Sequence, residues 1–392
     1  MNLRKIVLFP FSCLYGLGIA LWKSLYRHGI YKSGKVSVPV LSVGNVTVGG
    51  NGKTPLVIVL ANLLESGGHR VGILSRGYGR KKTSDTEILV FSGKDRQLAS
   101  GDRVPDPKIT GDEPALLSAR LPSAMISLSS DRLAGARALL PFSPSVILMD
   151  DGFQSLEIFQ DLSLVLISES DFRKILDCGG WGLGDLLPGG DFREGEDALL
   201  RSSAVVVTLE KDLARNETED LRHQFGIYFK RRFPGKGRLP VLFQKMVVSG
   251  LSCQTENEAQ HDRSEKVLDP GTLKGRKIVL VSGIARPERF LKTVSGYGGI
   301  VLGHLVWSDH ASWNPRREGE ILSFLESVSQ KELPEMILTT EKDFVKWPKT
   351  IRLPYTVCSV QIESCLLEPD NWEKVLAPIL KTSSFPADGE SL

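Results

Sequence analysis

The stretch that most constrains this chain is residues 38–55, VPVLSVGNVTVGGNGKTP. An apolar run over 38–43 passes into a glycine-rich loop and then Lys53 and Thr54, after which Pro55 opens the amphipathic segment PLVIVLANLLESGG. Strand, glycine-rich loop and helix in this order form the context of a phosphate-binding P-loop. The glycines let backbone N–H groups close around phosphate oxygens, and the helix N-terminus adds partial positive charge. In such a loop Lys53 reaches the β- and γ-phosphates and the Thr54 hydroxyl serves Mg2+. The general pattern wants glycine five residues before Gly52, where this chain has Thr47. A glycine-rich turn that binds nothing is the alternative.

The 392 residues allow two or three domains, and 41% apolar with 24% charged residues is ordinary for a globular protein. A net charge of +3 is too small to imply a nucleic-acid partner, and no protein partner is implied. The charge is uneven: no acidic residue precedes Glu65, while Arg4, Lys5, Lys23, Arg27, Lys32 and Lys35 all lie ahead of the loop. Five cysteines without a C-x-x-C pair fit a reducing compartment better than a disulfide framework, and six scattered histidines argue against zinc.

Residues 6–22, IVLFPFSCLYGLGIALW, carry no charge and have basic residues on both sides. Seventeen residues fall short of the ~20 that span a bilayer. A signal peptide lacks its small-residue cleavage site here, and a P-loop enzyme needs cytosolic ATP. A helix lying on the membrane, apolar face in lipid and basic ends on anionic headgroups, fits better, with a true span, a signal segment or a buried helix as alternatives.

Beyond the P-loop helix, residues 70–74 read as a second strand parallel to the first, so Arg76 at its carboxyl end is either a phosphate or substrate contact or a solvated turn residue. Asp112 and Glu113 precede Pro114 as a helix start would, with Asp112 as N-cap. Adjacent carboxylates at a loop end also suit a general base or a Mg2+ shell. SVILMDDGFQ, residues 145–154, has the form of a buried parallel strand delivering Asp150 and Asp151 to the metal of the P-loop, with a plain acidic turn after a core strand as the alternative. Residues 179–194 are too rich in glycine for a core segment, residues 215–237 are polar and basic, and residues 254–265 read as a loop or insertion. A second α/β unit begins at Arg276, and a tail follows residue 380. His310 alone could be a core, surface or catalytic histidine.

Together these motifs resemble the tetraacyldisaccharide 4′-kinase family, which phosphorylates the disaccharide 1-phosphate precursor of lipid A. GNVTVGGNGKTP, ILSRGYGR, GDEPALL, MDDGFQ, LLPGGDFRE, SGIARPERF, the Asp309-His310 pair and TTEKDFVK occur in the family's order. Thr47 is then the family's own variant of the loop. The resemblance implies ATP phosphates on Thr47, Val48, Gly49, Gly50, Asn51, Gly52, Lys53 and Thr54, with Gln154 and Arg193 close to them. It implies Mg2+ near Thr54, Glu113, Asp150 and Asp151, Asp112 as base paired with His310, and an N-terminal helix on the cytoplasmic face of the inner membrane. Two positions depart from the family, Ser155 and Ala311, each of which is usually histidine. The expected architecture is an α/β P-loop NTPase-like parallel sheet with helices on both faces (36–240), a smaller α/β domain closing the cleft (241–380), a membrane-associating helix (1–35) and a tail (381–392). A nucleotide-switch GTPase or ATPase, or another P-loop kinase, is the alternative, although no N-K-x-D guanine motif is present.

Overall fold

The computed structural model describes residues 3–77, 87–92, 110–257, 262–284, 286–308, 314–347, 353 and 355–380. Asp309, His310 and Ala311 lie outside the described residues, as do the tail and the end of the ILSRGYGR motif.

The apolar run after residue 38 forms β1 (Val40–Asn45), all six residues of which are buried. It pairs in parallel with β5 (Val146–Asp150) on one side and β6 (Leu162–Ser168) on the other. Strands covered on both faces need apolar residues at successive positions, and these have them. Leu41, Val43, Leu148 and Leu164 face one core with α2 (Lys53–Ser66). Val40, Ile147 and Met149 face the opposite core with α4 (Arg132–Leu139), and Val165 and Ile167 pack on α5 (Glu169–Cys178) and α6 (Arg215–Arg232).

Among the described residues, one 13-stranded sheet runs through both halves of the chain. Outward from β5 lie β2 (Val71–Ser75), β4 (Met125–Leu128) and the antiparallel edge strand β3 (Leu89–Ser92). Beyond β6 come β7 (Ala204–Leu209) and β8 (Val241–Asn257), both parallel to it. The continuation through β13 (Thr356–Leu367), β12 (Met336–Thr340), β10 (Lys277–Ser282) and β11 (Ile300–Val306) is parallel except at the antiparallel β8–β13 seam. Around this second half pack α7 (Pro287–Gly296), α8 (Pro315–Ser329) and the short α9 (Glu341–Phe344). The last helix, α10 (Pro369–Leu376), returns to the core beneath α2, where Trp372 is fully buried. In front of the sheet, α1 (Leu3–Arg27) packs against the glycine-rich segment that follows α5.

Three expectations are corrected. Residues 254–265 are not a featureless loop: the end of β8 pairs antiparallel with β9 (Asp262–Leu268). Among the described residues β9 pairs only with β8, and a hairpin at a sheet margin holds its backbone ladder without an apolar pattern to announce it. The helix bearing Asp112, α3 (Asp112–Arg120), takes Gly111 as its N-cap, so Asp112 is its first helical residue. Cys253 and Cys358 stand opposite each other across the β8–β13 seam and are disulfide-bonded, a pairing between residues 105 apart in sequence that cysteine spacing does not reveal.

Candidate active site

The carboxyl ends of β1, β5 and β2 converge on the glycine-rich loop. Gly52 lies at φ +82°, and a Cβ there would stand 2.8 Å from the Met246 sulfur, so only glycine fits. Side chains brace the rest of the loop. Asn51 Nδ2 donates to the buried Thr47 hydroxyl at 3.0 Å, and the Asn51 carbonyl accepts from Thr208 Oγ1 at 2.8 Å and from Gln244 Nε2 at 3.3 Å. The Val48 amide donates to the Asp191 carbonyl at 2.8 Å, which ties the loop to the glycine-rich segment before Arg193. Thr47 in place of glycine is thus a hydroxyl acceptor that stiffens the turn.

The acidic pair lies opposite. The chain leaves β5 through Asp151 at φ +50°, a left-handed turn rare for a side chain other than glycine. Asp150 Oδ2 accepts from Thr54 Oγ1 at 3.5 Å. Asp151 meets Lys53 Nζ at 3.6 Å and Arg193 Nη1 at 3.1 Å. Arg193 Nη1 also reaches Gln154 Oε1 at 3.4 Å, while Gln154 Nε2 donates to the Asn45 carbonyl at 2.9 Å and to Glu194 at 3.1 Å. Burial, then the charges of Glu113 and Asp151, push the Asp150 carboxyl up to about 7 against Lys53 and Arg132. Burial also acts on Asp151, but Lys53 and Arg193 outweigh it and hold that carboxyl below its ordinary value.

Fit to a hard cation can be judged from the donor set. Asp150 Oδ1 is buried without a hydrogen-bond partner, the Thr54 hydroxyl reaches the other oxygen of the same carboxylate, and Asp151 and Glu113 are near enough for their charges to act on it. No group of three or more His, Cys, Asp or Glu side chains able to hold a metal occurs among the described residues. The oxygen-only chemistry of Thr54 and Asp150 fits a hard cation such as Mg2+, which is bound with waters and substrate phosphates.

Asp112 Oδ2 accepts from Lys346 Nζ at 2.9 Å, and Lys346 also lies 3.5 Å from Asp343. At the other end of the same helix, Arg120 binds Glu341 at 2.8 Å and pairs with Glu363. Three ion pairs, one at the start of α3 and two at its end, therefore fix this helix, carrying Asp112 and Glu113, to the second half of the sheet.

The tetraacyldisaccharide-1-P 4′-kinase family model matches residues 4–381. The chain belongs to this family. Tetraacyldisaccharide 4′-kinases of Syntrophus aciditrophicus and Chromobacterium violaceum are 32% and 33% identical over 377 and 378 residues, covering 96% and 95% of this chain and 93% of each relative. A crystal structure of LpxK from Aquifex aeolicus in complex with ATP is 28% identical, with a TM-score of 0.67 over 96% of this chain and 99% of that one.

The structure joins Lys53, Gln154, Arg193 and Asp151 through direct contacts and Thr54 to Asp150, and it places Glu113, next to Asp112 in α3, near enough to Asp150 for their charges to interact. Arg76 is exposed at the end of β2, close enough to Arg132 for their charges to interact. His310 lies outside the described residues. Sequence reasoning missed Arg132. Its Nη2 donates to the Asp150 carbonyl at 2.9 Å, while Nε and Nη1 are buried without partners, a donor set that an anion would satisfy. Burial and Arg76 lower its pKa to about 10, so it stays charged. Its place just after Asp131, which caps α4, disguises it as an ordinary helix start. Lys346 lies within TTEKDFVK, where spacing assigns it no role. Its partnership with Asp112 joins residues 234 apart.

Proposed function

We propose that this protein transfers the γ-phosphoryl group of ATP to the 4′-hydroxyl of a tetraacyldisaccharide 1-phosphate, a step in lipid A biosynthesis, on the cytoplasmic face of the inner membrane. The observation that carries the reading is the convergence of the braced P-loop, the Asp150-Asp151 pair and Asp112 at one sheet edge in a chain of this family.

Phosphoryl transfer asks for in-line positioning and for charge neutralisation on the moving group. The amides of the loop and Lys53 would receive the β- and γ-phosphates. Thr54, Asp150, Asp151 and Glu113 would hold Mg2+, which would supply positive charge to offset that of the phosphates. Arg193, already aligned by Asp151 and Gln154, would approach the phosphate oxygens. Asp112 would accept the proton of the attacking hydroxyl; Lys346 keeps it aimed, and His310 is its proposed partner on the acceptor side.

α1 supplies the membrane contact. It is long and apolar enough to cross a bilayer by length and composition, with only 11% of that window buried, and Phe11, Leu14, Leu17 and Leu21 are exposed along it. A helix lying at headgroup level would bring the cleft to a lipid-held sugar.

The test is ATP-dependent 32P transfer to a tetraacyldisaccharide 1-phosphate in mixed micelles. The parent should phosphorylate it with a requirement for Mg2+, and Asp112→Asn should lower turnover by at least ~100-fold with ATP affinity retained. Transfer to a soluble sugar but not to the lipid would overturn the acceptor assignment, and full activity of Asp112→Asn would remove the base.

A further inference from the structure

Among the family strings in this sequence, SGIARPERF is assigned no chemistry by the reading above. It follows β10, where Gly283 leaves the strand and Arg286 stands as N-cap of α7. Arg286 belongs to the second half of the sheet, yet its Nη2 lies 3.4 Å from where a Cβ on Gly49 would be. Gly49 sits at φ +117° within the phosphate loop, so the absence of a side chain there leaves the guanidinium a clear approach to the loop backbone.

Electrostatics set this cation apart from Lys53 and Arg193. Lys53 and Arg193 both spend charge on Asp151, at 3.6 and 3.1 Å. Among the described residues no ion pair or hydrogen bond of the Arg286 side chain is present, and the residue is exposed. An unpaired guanidinium against a phosphate loop retains its full donor fork for phosphate oxygens.

The loop that carries it is also anchored. The Gly283 amide donates to Asp343 Oδ2 at 2.9 Å, and the buried Asp343 lies 3.5 Å from Lys346, which in turn holds Asp112. Asp343 thus connects the segment bearing Arg286 on the phosphate side to the cation that aims Asp112 on the acceptor side.

We propose that Arg286 is a catalytic residue of the transfer: it contacts the γ-phosphoryl oxygens from the second half of the molecule and offsets the charge that Lys53 and Arg193, shared with Asp151, leave uncompensated. This deepens the kinase reading and rests on nucleotide phosphates occupying the loop. An arginine supplied from a separate element is an established means of stabilising the transferring group in other phosphoryl-transfer enzymes.

Steady-state kinetics and equilibrium binding of a fluorescent ATP analogue, on full-length Arg286→Ala, Arg286→Lys and Lys53→Ala proteins, test it. Arg286→Ala should lower kcat at least tenfold while the dissociation constant of the analogue rises less than fivefold, and Arg286→Lys should recover part of kcat. The exposure of the side chain makes misfolding a poor explanation, and retained nucleotide binding excludes it directly. A kcat within tenfold of the parent, or a loss of binding that accounts for the whole effect, overturns the role of Arg286. Lys53→Ala separates the two levels: if it binds the analogue as the parent does, the phosphate loop itself has been misread, whereas its loss of binding beside an unimpaired Arg286→Ala defeats only the present proposal.

Discussion

Asp150 is the residue at which burial and function oppose each other. Burial with a second carboxylate beside it raises its pKa from 3.8 to about 7, so between these values the folded protein holds a proton that the unfolded chain releases. Stability contributed by the site therefore falls as pH rises through that window and is lowest above it. In metal-free buffer, Asp150→Asn removes the penalty. The variant should melt higher than the parent by roughly 2 °C or more at pH 8, with a much smaller difference at pH 5. Scanning calorimetry in chelator at both pH values checks this, and a difference independent of pH would assign the effect to packing. The acid was legible because a buried parallel strand ending in two carboxylates is a local pattern. Arg132 was not, since its role follows from a guanidinium folding back under the Asp150 carbonyl, 18 residues away and invisible to spacing.

At the scale of elements, α1 has two faces with different work. Its inner face grips the segment leading into Arg193: Ser12 Oγ donates to the Leu186 carbonyl at 2.9 Å and accepts from the Gly189 amide at 3.0 Å, and Tyr15 donates to the Arg193 carbonyl at 3.0 Å. Lys23 pairs with Asp197 at 2.6 Å. The outer face presents the exposed leucines. Replacing Leu14 and Leu17 with serine removes apolar area whose burial in lipid is worth about 1.5–3 kcal/mol per side chain. Cosedimentation with anionic vesicles should fall at least tenfold with ATP affinity unchanged. Tyr15→Phe should do the reverse, keeping vesicle binding and lowering turnover about two- to tenfold, because one hydrogen bond worth ~1 kcal/mol no longer fixes the Arg193 backbone. Vesicle binding and kcat measured on the same preparations separate the faces, and parallel losses in both variants would mean the helix acts only as an anchor. The sequence announced an apolar, basic-flanked helix. It could not announce the docking, because a serine and a tyrosine within such a run carry no periodic signal of their own.

Across the whole molecule, the two α/β units read from the sequence share one sheet, and β8 carries the connection: parallel to β7 on one side, antiparallel to β13 on the other. Parallel strands declare themselves by apolar runs, so most of the individual strands were legible. The antiparallel seam depends on β13 returning from more than a hundred residues downstream, and no local pattern encodes that. The chain end reinforces it. Trp372 of α10 is fully buried in the core formed by α2 and the central strands, with its indole N–H on the Phe243 carbonyl at 3.2 Å. A residue near the C-terminus therefore fills the space beneath the helix that starts at Lys53. Trp372→Ala leaves a cavity whose cost is about 3–5 kcal/mol, and because that core is continuous with the sheet, the loss should reach both halves together. Urea unfolding followed by tryptophan fluorescence and by protection of ATP binding should shift to lower denaturant in parallel, as one transition. A variant in which ATP binding survives while the second half unfolds separately would show that the seam, despite its shared strands, does not couple the two units.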